Sequence, residues 1–205
     1  DGNGWGEGLE PRPIKGPDVF LRVIAGVRDR IPGLMVLLTG PARGYMKRGL
    51  EQLRVPYRHV MVDRYEDMAP CYRAIDAYVV ASRQEGGPKA VLESMASGVP
   101  LVTTRVGQAI DLVQHCINGW MSPVEDAANL AAGVLDIHGN PRVWASIAAT
   151  ARATAEAHSY ERQTHLWRRF FEGFNSKHTF NDVSTTPKQT LHSGMRMQRP
   201  SMPTP

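Results

Sequence analysis

The stretch Ala77-Tyr78-Val79-Val80-Ala81-Ser82-Arg83-Gln84-Glu85-Gly86-Gly87-Pro88-Lys89, continuing to Gly98-Val99-Pro100-Leu101-Val102-Thr103, decides the fold. Its two ends, residues 77–81 and 99–103, are short, nearly unbroken apolar runs, the pattern of strands buried on both faces. Between them Gly86 and Gly87 let the backbone pass close to a neighbour or a ligand. Pro88 suits a first helical position, where its missing N–H costs nothing. Residues 88–97 then read as a helix that Gly98 stops.

The same alternation extends outward. Residues 34–39 and 58–62 are two more apolar runs, the first ending at Gly40. Helical patterns lie between the runs. Residues 17–31 open with Pro17 and place Val19, Phe20, Val23, Ile24, Val27 and Ile31 on one face. Residues 43–54, 66–75 and 107–115 are shorter candidates. Strands alternating with helices predict an α/β fold with a doubly wound parallel sheet. Past Asn118-Gly119 the pattern changes to three successive helices over 125–138, 141–157 and 160–174, with Pro141 at a first helical position and Ser159 as an N-cap. The last helix sets Trp167, Phe170, Phe171 and Phe174 among Arg162, Arg168 and Arg169. That stripe fits a partner or membrane-surface helix, or a helix packed on its own or a neighbouring domain. Residues 176–205, rich in Thr, Ser, Pro and Met without periodicity, read as a disordered tail. The expected organisation is therefore a glycine-rich, truncated start over 1–16, a Rossmann-like domain with C-terminal helices over 17–175, and the tail.

Charge and composition exclude several classes. Of the net charge of +4, the segment from Ser176 onward carries +3, so the body of the chain is near neutral and offers no broad basic face for nucleic acid. No apolar run approaches the roughly 18 residues of a membrane span. Cys71 and Cys116 have neither metal-ligand nor secreted-disulfide spacing, which fits a reducing compartment. The chain opens at Asp1 inside a glycine-rich stretch, as a fragment does. The seven His residues lack the His-x-x-x-His spacing of a zinc site. The chain has no P-loop and no G-x-S-x-G elbow. Gly2-Asn3-Gly4-Trp5-Gly6-Glu7-Gly8 does not meet G-x-G-x-x-G and reads as a mobile loop over a site.

Three constellations remain. Glu85 lies before the helix that starts near Pro88, and Glu93 about one and a half turns into it. Helical side chains lean toward the N-terminus, so both carboxylates can approach one polar ligand from two sides. They can accept from hydroxyls, act as acid and base, or be a loop acid and an ordinary exposed helix Glu. The first amides of that helix, on Lys89, Ala90 and Val91, lack intrahelical partners and can face an anion or a hydroxyl. Arg12 and Lys15 stand just before Gly16-Pro17, either as a phosphate grip or as two solvated charges. Thr39-Gly40-Pro41-Ala42-Arg43-Gly44 ends a strand and begins a helix, where α/β folds bind ligands, and Arg43 can meet a phosphate or only cap solvent.

Ser82 to Thr103, containing Glu85-Gly86-Gly87 and Glu93, resembles the E-x7-E signature of family 4 retaining glycosyltransferases. Val106-Gly107, Asn118-Gly119 and Arg12-Pro13-Ile14-Lys15-Gly16-Pro17-Asp18 match in the same order, and the resemblance covers about residues 10–175. It implies the C-terminal, donor-binding half of a two-domain GT-B enzyme that transfers a sugar with retention of configuration. In such a half Glu85 contacts the donor sugar and Glu93 the ribose. Lys15 and Arg12 hold and stabilise the leaving diphosphate. The backbone around Gly86, Gly87, Lys89, Ala90 and Val91 touches sugar and phosphates, with Gly40 and Arg43 as further donor contacts. The nucleobase lies near Val62–Tyr65. The resemblance implies a nucleotide-diphosphate sugar as donor and no other cofactor. No metal is expected, in keeping with the missing Asp-x-Asp. A glycan, lipid or small-molecule acceptor would be bound mainly by an N-terminal domain absent from this chain. The implied location is the cytoplasm, with peripheral contact at the membrane face as a variant. The alternative is a nucleotide-sugar-binding module that is inactive without a partner domain or chain.

Overall fold

A computed structural model of the chain describes residues 7–87 and 89–175, the last two by backbone alone. The glycine-rich residues 1–6, Pro88 and the tail expected over 176–205 lie outside the described residues. The chain divides into two units, one ending at Gln163 and the other beginning at Thr164.

Among the described residues the first unit carries five short strands: β1 (Val36–Thr39), β2 (Tyr57–Val60), β3 (Tyr78–Val80), β4 (Leu101–Thr104) and β5 (Trp120–Ser122). All pairings are parallel. β1 pairs with β2 from Val36–Tyr57 to Thr39–Val60. β3, β4 and β5 form a second set in that spatial order, with Tyr78 opposite Leu101 and Val102 opposite Trp120. Parallel neighbours need crossovers, and helices supply them: α1 (Pro17–Val27), α2 (Gly44–Gln52), α3 (Met68–Arg73), α4 (Lys89–Ala96), α5 (Ala109–Leu112), α6 (Ala127–Gly139) and α7 (Pro141–Ala157). α8 (Tyr160–Asn175) crosses the division between the units.

The alternation read from the sequence is present, with one addition. β5 falls where only helices are expected after Asn118-Gly119; at three residues it is too short to show a period. β4 begins after Pro100, whose carbonyl still accepts from the Tyr78 amide at 2.9 Å.

Successive residues of β4 point to opposite faces. Val102 packs with Val19, Val23 and Val27 of α1, Leu130 of α6 and Trp144 of α7. Leu101 packs with Val91 and Met95 of α4, Leu112 of α5 and Ala151 of α7. The β3–β4–β5 set is therefore covered on both faces, which is why its strands read as unbroken apolar runs. A third cluster joins Ile24 to Val36, Leu38, Met46 and Leu50. Val91 and Met95 are wholly buried, worth roughly 1.5–3 kcal/mol each, and they hold α4 against the sheet. Helix ends follow the expected chemistry: Pro17 and Pro141 open α1 and α7, and the Ser159 hydroxyl accepts from the Arg162 amide. Asp126 caps α6 by accepting from the Asn129 amide at 2.9 Å. Within the second unit the rings of Trp167, Phe170 and Phe171 pack on one another.

Candidate functional site

Three loops converge beyond the carboxyl ends of the strands. The first is the single 3₁₀ turn Pro13–Lys15 that enters α1. Gly16 closes it in the left-handed region, at φ 60° and ψ 40°. A Cβ there would lie 1.9 Å from the Ala81 carbonyl oxygen, so only glycine lets this turn sit on the end of β3. The second is the loop from Ala81 to Gly87. Its Arg83 amide donates to the Ile14 carbonyl at 2.8 Å, which ties the two loops together. The third is Val106–Gln108. The Gln108 amide donates to the Gly86 carbonyl at 2.9 Å, and a Cβ on Gly107 would stand 2.2 Å from that same oxygen.

This arrangement brings Lys15 and Glu85 together. The Lys15 ammonium donates to both Glu85 oxygens, at 2.6 and 2.8 Å, and the Ser82 hydroxyl donates to Oε1 at 2.8 Å. Glu85 is largely enclosed while Lys15 is nearly half exposed, so the cation forms the solvent side of the pair. The sequence reading allows Lys15 as half of a phosphate grip or as a solvated charge; the structure sets its ammonium against Glu85. Arg12 is exposed at the start of the same turn. Gly86 and Gly87 are exposed, and a Cβ on Gly86 would meet nothing within 4 Å among the described residues. The described helix starts at Lys89, so the amides of Lys89, Ala90 and Val91 belong to its first turn.

Glu93, in the middle of α4, is held by two phenols. Tyr65 donates to Oε1 at 2.7 Å and Tyr72 to Oε2 at 2.8 Å. Tyr72 is buried and meets Tyr78 edge-on, with ring centroids 5.2 Å apart. Burial is the main force raising the Tyr72 phenol above its ordinary value. Tyr78 is also raised by burial, and its phenol lies within electrostatic reach of Glu93, Arg43 and Glu85. Arg43, Glu85 and Glu93 come from the β1–α2 loop, the β3–α4 loop and α4.

Arg43 is half-buried, and burial lowers its guanidinium pKa. Its Nε donates to the Thr39 carbonyl at 2.7 Å, and its Nη2 lies 3.5 Å from where a Cβ of Gly40 would stand. Gly8 docks on this loop: its carbonyl accepts from the Tyr45 amide at 2.8 Å, and a Cβ on it would strike the Ala42 carbonyl at 2.0 Å.

Arg83, read from sequence only as a residue within the signature, is the hub of the convergence. Its Nη1 donates to the Pro13 carbonyl at 2.6 Å and to Asp18 Oδ1 at 2.8 Å, and its Nη2 to Asp18 Oδ2 at 2.7 Å. Its Nε pairs with Glu125, which Arg22 also contacts. The bonds from Arg83 hold the Asp18 carboxyl below its ordinary value, against a smaller opposing effect of burial. Arg83, Ser82, Tyr72, Tyr78 and Gly107 are the site residues the sequence reading did not assign. The available signal was chemical: a buried tyrosine usually needs a hydrogen-bond partner.

Comparison with known proteins bears on the family and the fold. The family model described as Glycosyl transferases group 1 matches residues 7–140. A D-inositol 3-phosphate glycosyltransferase of Saccharomonospora viridis is 32% identical over 166 residues, covering 75% of this chain and 38% of that protein. The chain thus spans well under half the length of this relative. Among solved structures, Anabaena Alr3699/HepE in complex with UDP-glucose superposes with a TM-score of 0.67 at 22% identity, covering 82% of this chain and 47% of that one. The C-terminal domain of a group 1 family glycosyl transferase (LpcC) from Francisella tularensis superposes with a TM-score of 0.64 at 18% identity, covering 72% and 80%. At these identities the superpositions speak to the fold, and the second covers four-fifths of a C-terminal domain.

Proposed function

The chain belongs to the group 1 glycosyl transferases, and on that premise we propose that it is the donor-binding half of a retaining transferase that uses a nucleotide-diphosphate sugar. The observation that carries the proposal is the Lys15–Glu85 pair beside the exposed Gly86–Gly87 loop, with Glu93 held on the following helix by Tyr65 and Tyr72. Two carboxylates suit the hydroxyls of a sugar and a ribose. Cations and the first turn of α4 suit a diphosphate. In this proposal the donor separates the Lys15–Glu85 pair. Glu85 then accepts from sugar hydroxyls, Lys15 and Arg12 face the diphosphate, and Glu93 accepts from the ribose. Positive charge at the departing diphosphate lowers the barrier, commonly the largest single catalytic effect. The acceptor, whether glycan, lipid or small molecule, is held mainly by protein outside this chain.

The short span relative to the Saccharomonospora relative favours a companion reading: alone, the chain binds the donor without transferring it. Calorimetry and melting of this chain with UDP-glucose, GDP-mannose and ADP-glucose, together with an assay of donor hydrolysis, test both. A true donor at a hundred times its Kd raises stability by about 2.7 kcal/mol. Binding without hydrolysis supports the module. The absence of any melting shift at millimolar concentration refutes the donor reading.

A further inference from the structure

We propose that Tyr65 and Tyr72 divide Glu93 between them: Tyr72 positions the carboxylate from the core, and Tyr65 is a place-holder for a ribose hydroxyl, displaced when a nucleotide binds. The proposal rests on the reading of Glu93 as the ribose acceptor.

The two phenols make similar bonds from different surroundings. Tyr72 is 4% exposed and Tyr65 is 68% exposed, yet their oxygens stand 2.8 and 2.7 Å from Glu93 Oε2 and Oε1. Tyr72 sits on α3 against Tyr78 of β3, so its hydroxyl has a fixed origin. Losing that bond would free the Glu93 side chain to rotate. Tyr65 lies in the single 3₁₀ turn Tyr65–Asp67 after β2 and α3 follows directly. Its ring stands mostly in water, so release of its hydroxyl exchanges one hydrogen bond for another at little cost.

A ribose brings two adjacent hydroxyls, and a carboxylate offers about four acceptor positions. Tyr72 can keep one position on Oε2 while the ribose takes the others. Tyr65, the partner of Oε1, is the exposed one of the two tyrosines, so its bond is the one in direct competition with a ligand hydroxyl. Deleting the Tyr65 hydroxyl should therefore strengthen nucleotide binding, whereas deleting the Tyr72 hydroxyl should weaken it. Opposite signs from two Tyr→Phe changes at one carboxylate are not expected if both bonds merely support the fold.

Calorimetric titration of this chain with UDP, and with GDP and ADP in parallel, tests the proposal against the matching 2′,3′-dideoxynucleotides. Wild type should prefer the ribonucleotide. Tyr65→Phe should tighten it and Tyr72→Phe loosen it, each by about fivefold, and neither should change dideoxynucleotide binding. Equal affinity of wild type for the two sugars, or no binding of any nucleotide, overturns the ribose reading of Glu93. A wild type that discriminates while Tyr65→Phe binds the ribonucleotide no better overturns the place-holder. A Tyr72→Phe protein that stays folded and keeps its affinity overturns the positioning role. Should Tyr72→Phe not fold, the exposed Tyr65→Phe arm decides.

Discussion

Gly16 and Gly98 offer a paired test of how the site is assembled. Both occupy the left-handed region, at φ +60° and +70°. Alanine at either position carries the left-handed penalty, roughly 1–2 kcal/mol. The surroundings differ. A Cβ on Gly98 meets nothing within 4 Å among the described residues, while one on Gly16 lies 1.9 Å from the Ala81 carbonyl oxygen and 2.9 Å from its carbon. Widening the first contact to 3.0 Å parts the Lys15 turn from the end of β3 by about 1.1 Å. Two of the bonds spanning that seam are Arg83 N–H to Ile14 O at 2.8 Å and Arg83 Nη1 to Pro13 O at 2.6 Å. Losing one or both adds about 1 kcal/mol each. Gly16→Ala should then cost about 2–4 kcal/mol and Gly98→Ala about 1–2 kcal/mol. Urea unfolding followed by circular dichroism measures both changes, with an unchanged slope as the control that neither variant alters what unfolds.

The seam also sets where Lys15 stands relative to Glu85, so the pair separates stability from binding. Gly16→Ala should weaken nucleotide-sugar binding at temperatures where the protein is still folded, whereas Gly98→Ala should leave affinity unchanged. Equal destabilisation by the two substitutions would refute the close-approach argument. A destabilised Gly16→Ala protein with native donor affinity would show that the register of the Lys15 turn does not matter to the site.

Three further outcomes are expected. Asp18 has its pKa lowered, first by the bonds from Arg83, so its contribution is present above the ordinary carboxylate value near 3.8 and is lost as pH falls through the lower folded value; denaturation between pH 5 and 2 should lose a component of its slope in Asp18→Asn. Arg83→Met removes the hub joining Pro13, Asp18 and Glu125, and calorimetry should show weaker donor binding, with a stability loss that shrinks at high salt. On the proposed function, Lys15→Ala should lower kcat for sugar transfer by about 100-fold or more, in the range seen when one charge-stabilising donor is removed, with a much smaller change in donor affinity; steady-state kinetics showing equal losses would sink the leaving-group role.

Much of the scaffold was legible because burial on both faces leaves a mark in the sequence. Leu101 and Val102 serve opposite cores, so β4 has to be apolar throughout, and Pro17 and Pro141 announce their helices because only a first turn tolerates them. β5 escaped because three residues cannot establish a period. The site was legible as a set of residues but not as a set of bonds. Glu85 and Glu93 stand out along the chain, yet what each touches depends on residues 70, 28 and 21 positions away. Arg83 left no local sign at all, since Asp18 and Glu125 lie 65 and 42 positions from it. Spacing also cannot show that neighbouring loops place opposite charges together. Once Gly16 sets the Lys15 turn against β3, the ammonium and the Glu85 carboxylate lie within reach of each other, and each is the other's nearest strong partner. On the proposed donor reading, the Lys15–Glu85 contact is what a donor would replace, as the Tyr65 bond would be at Glu93. Selectivity would follow from this exchange: a ligand that brings hydroxyls to both carboxylates and an anion to Lys15 restores every bond it breaks, while a simple phosphate or a neutral sugar restores only part of them.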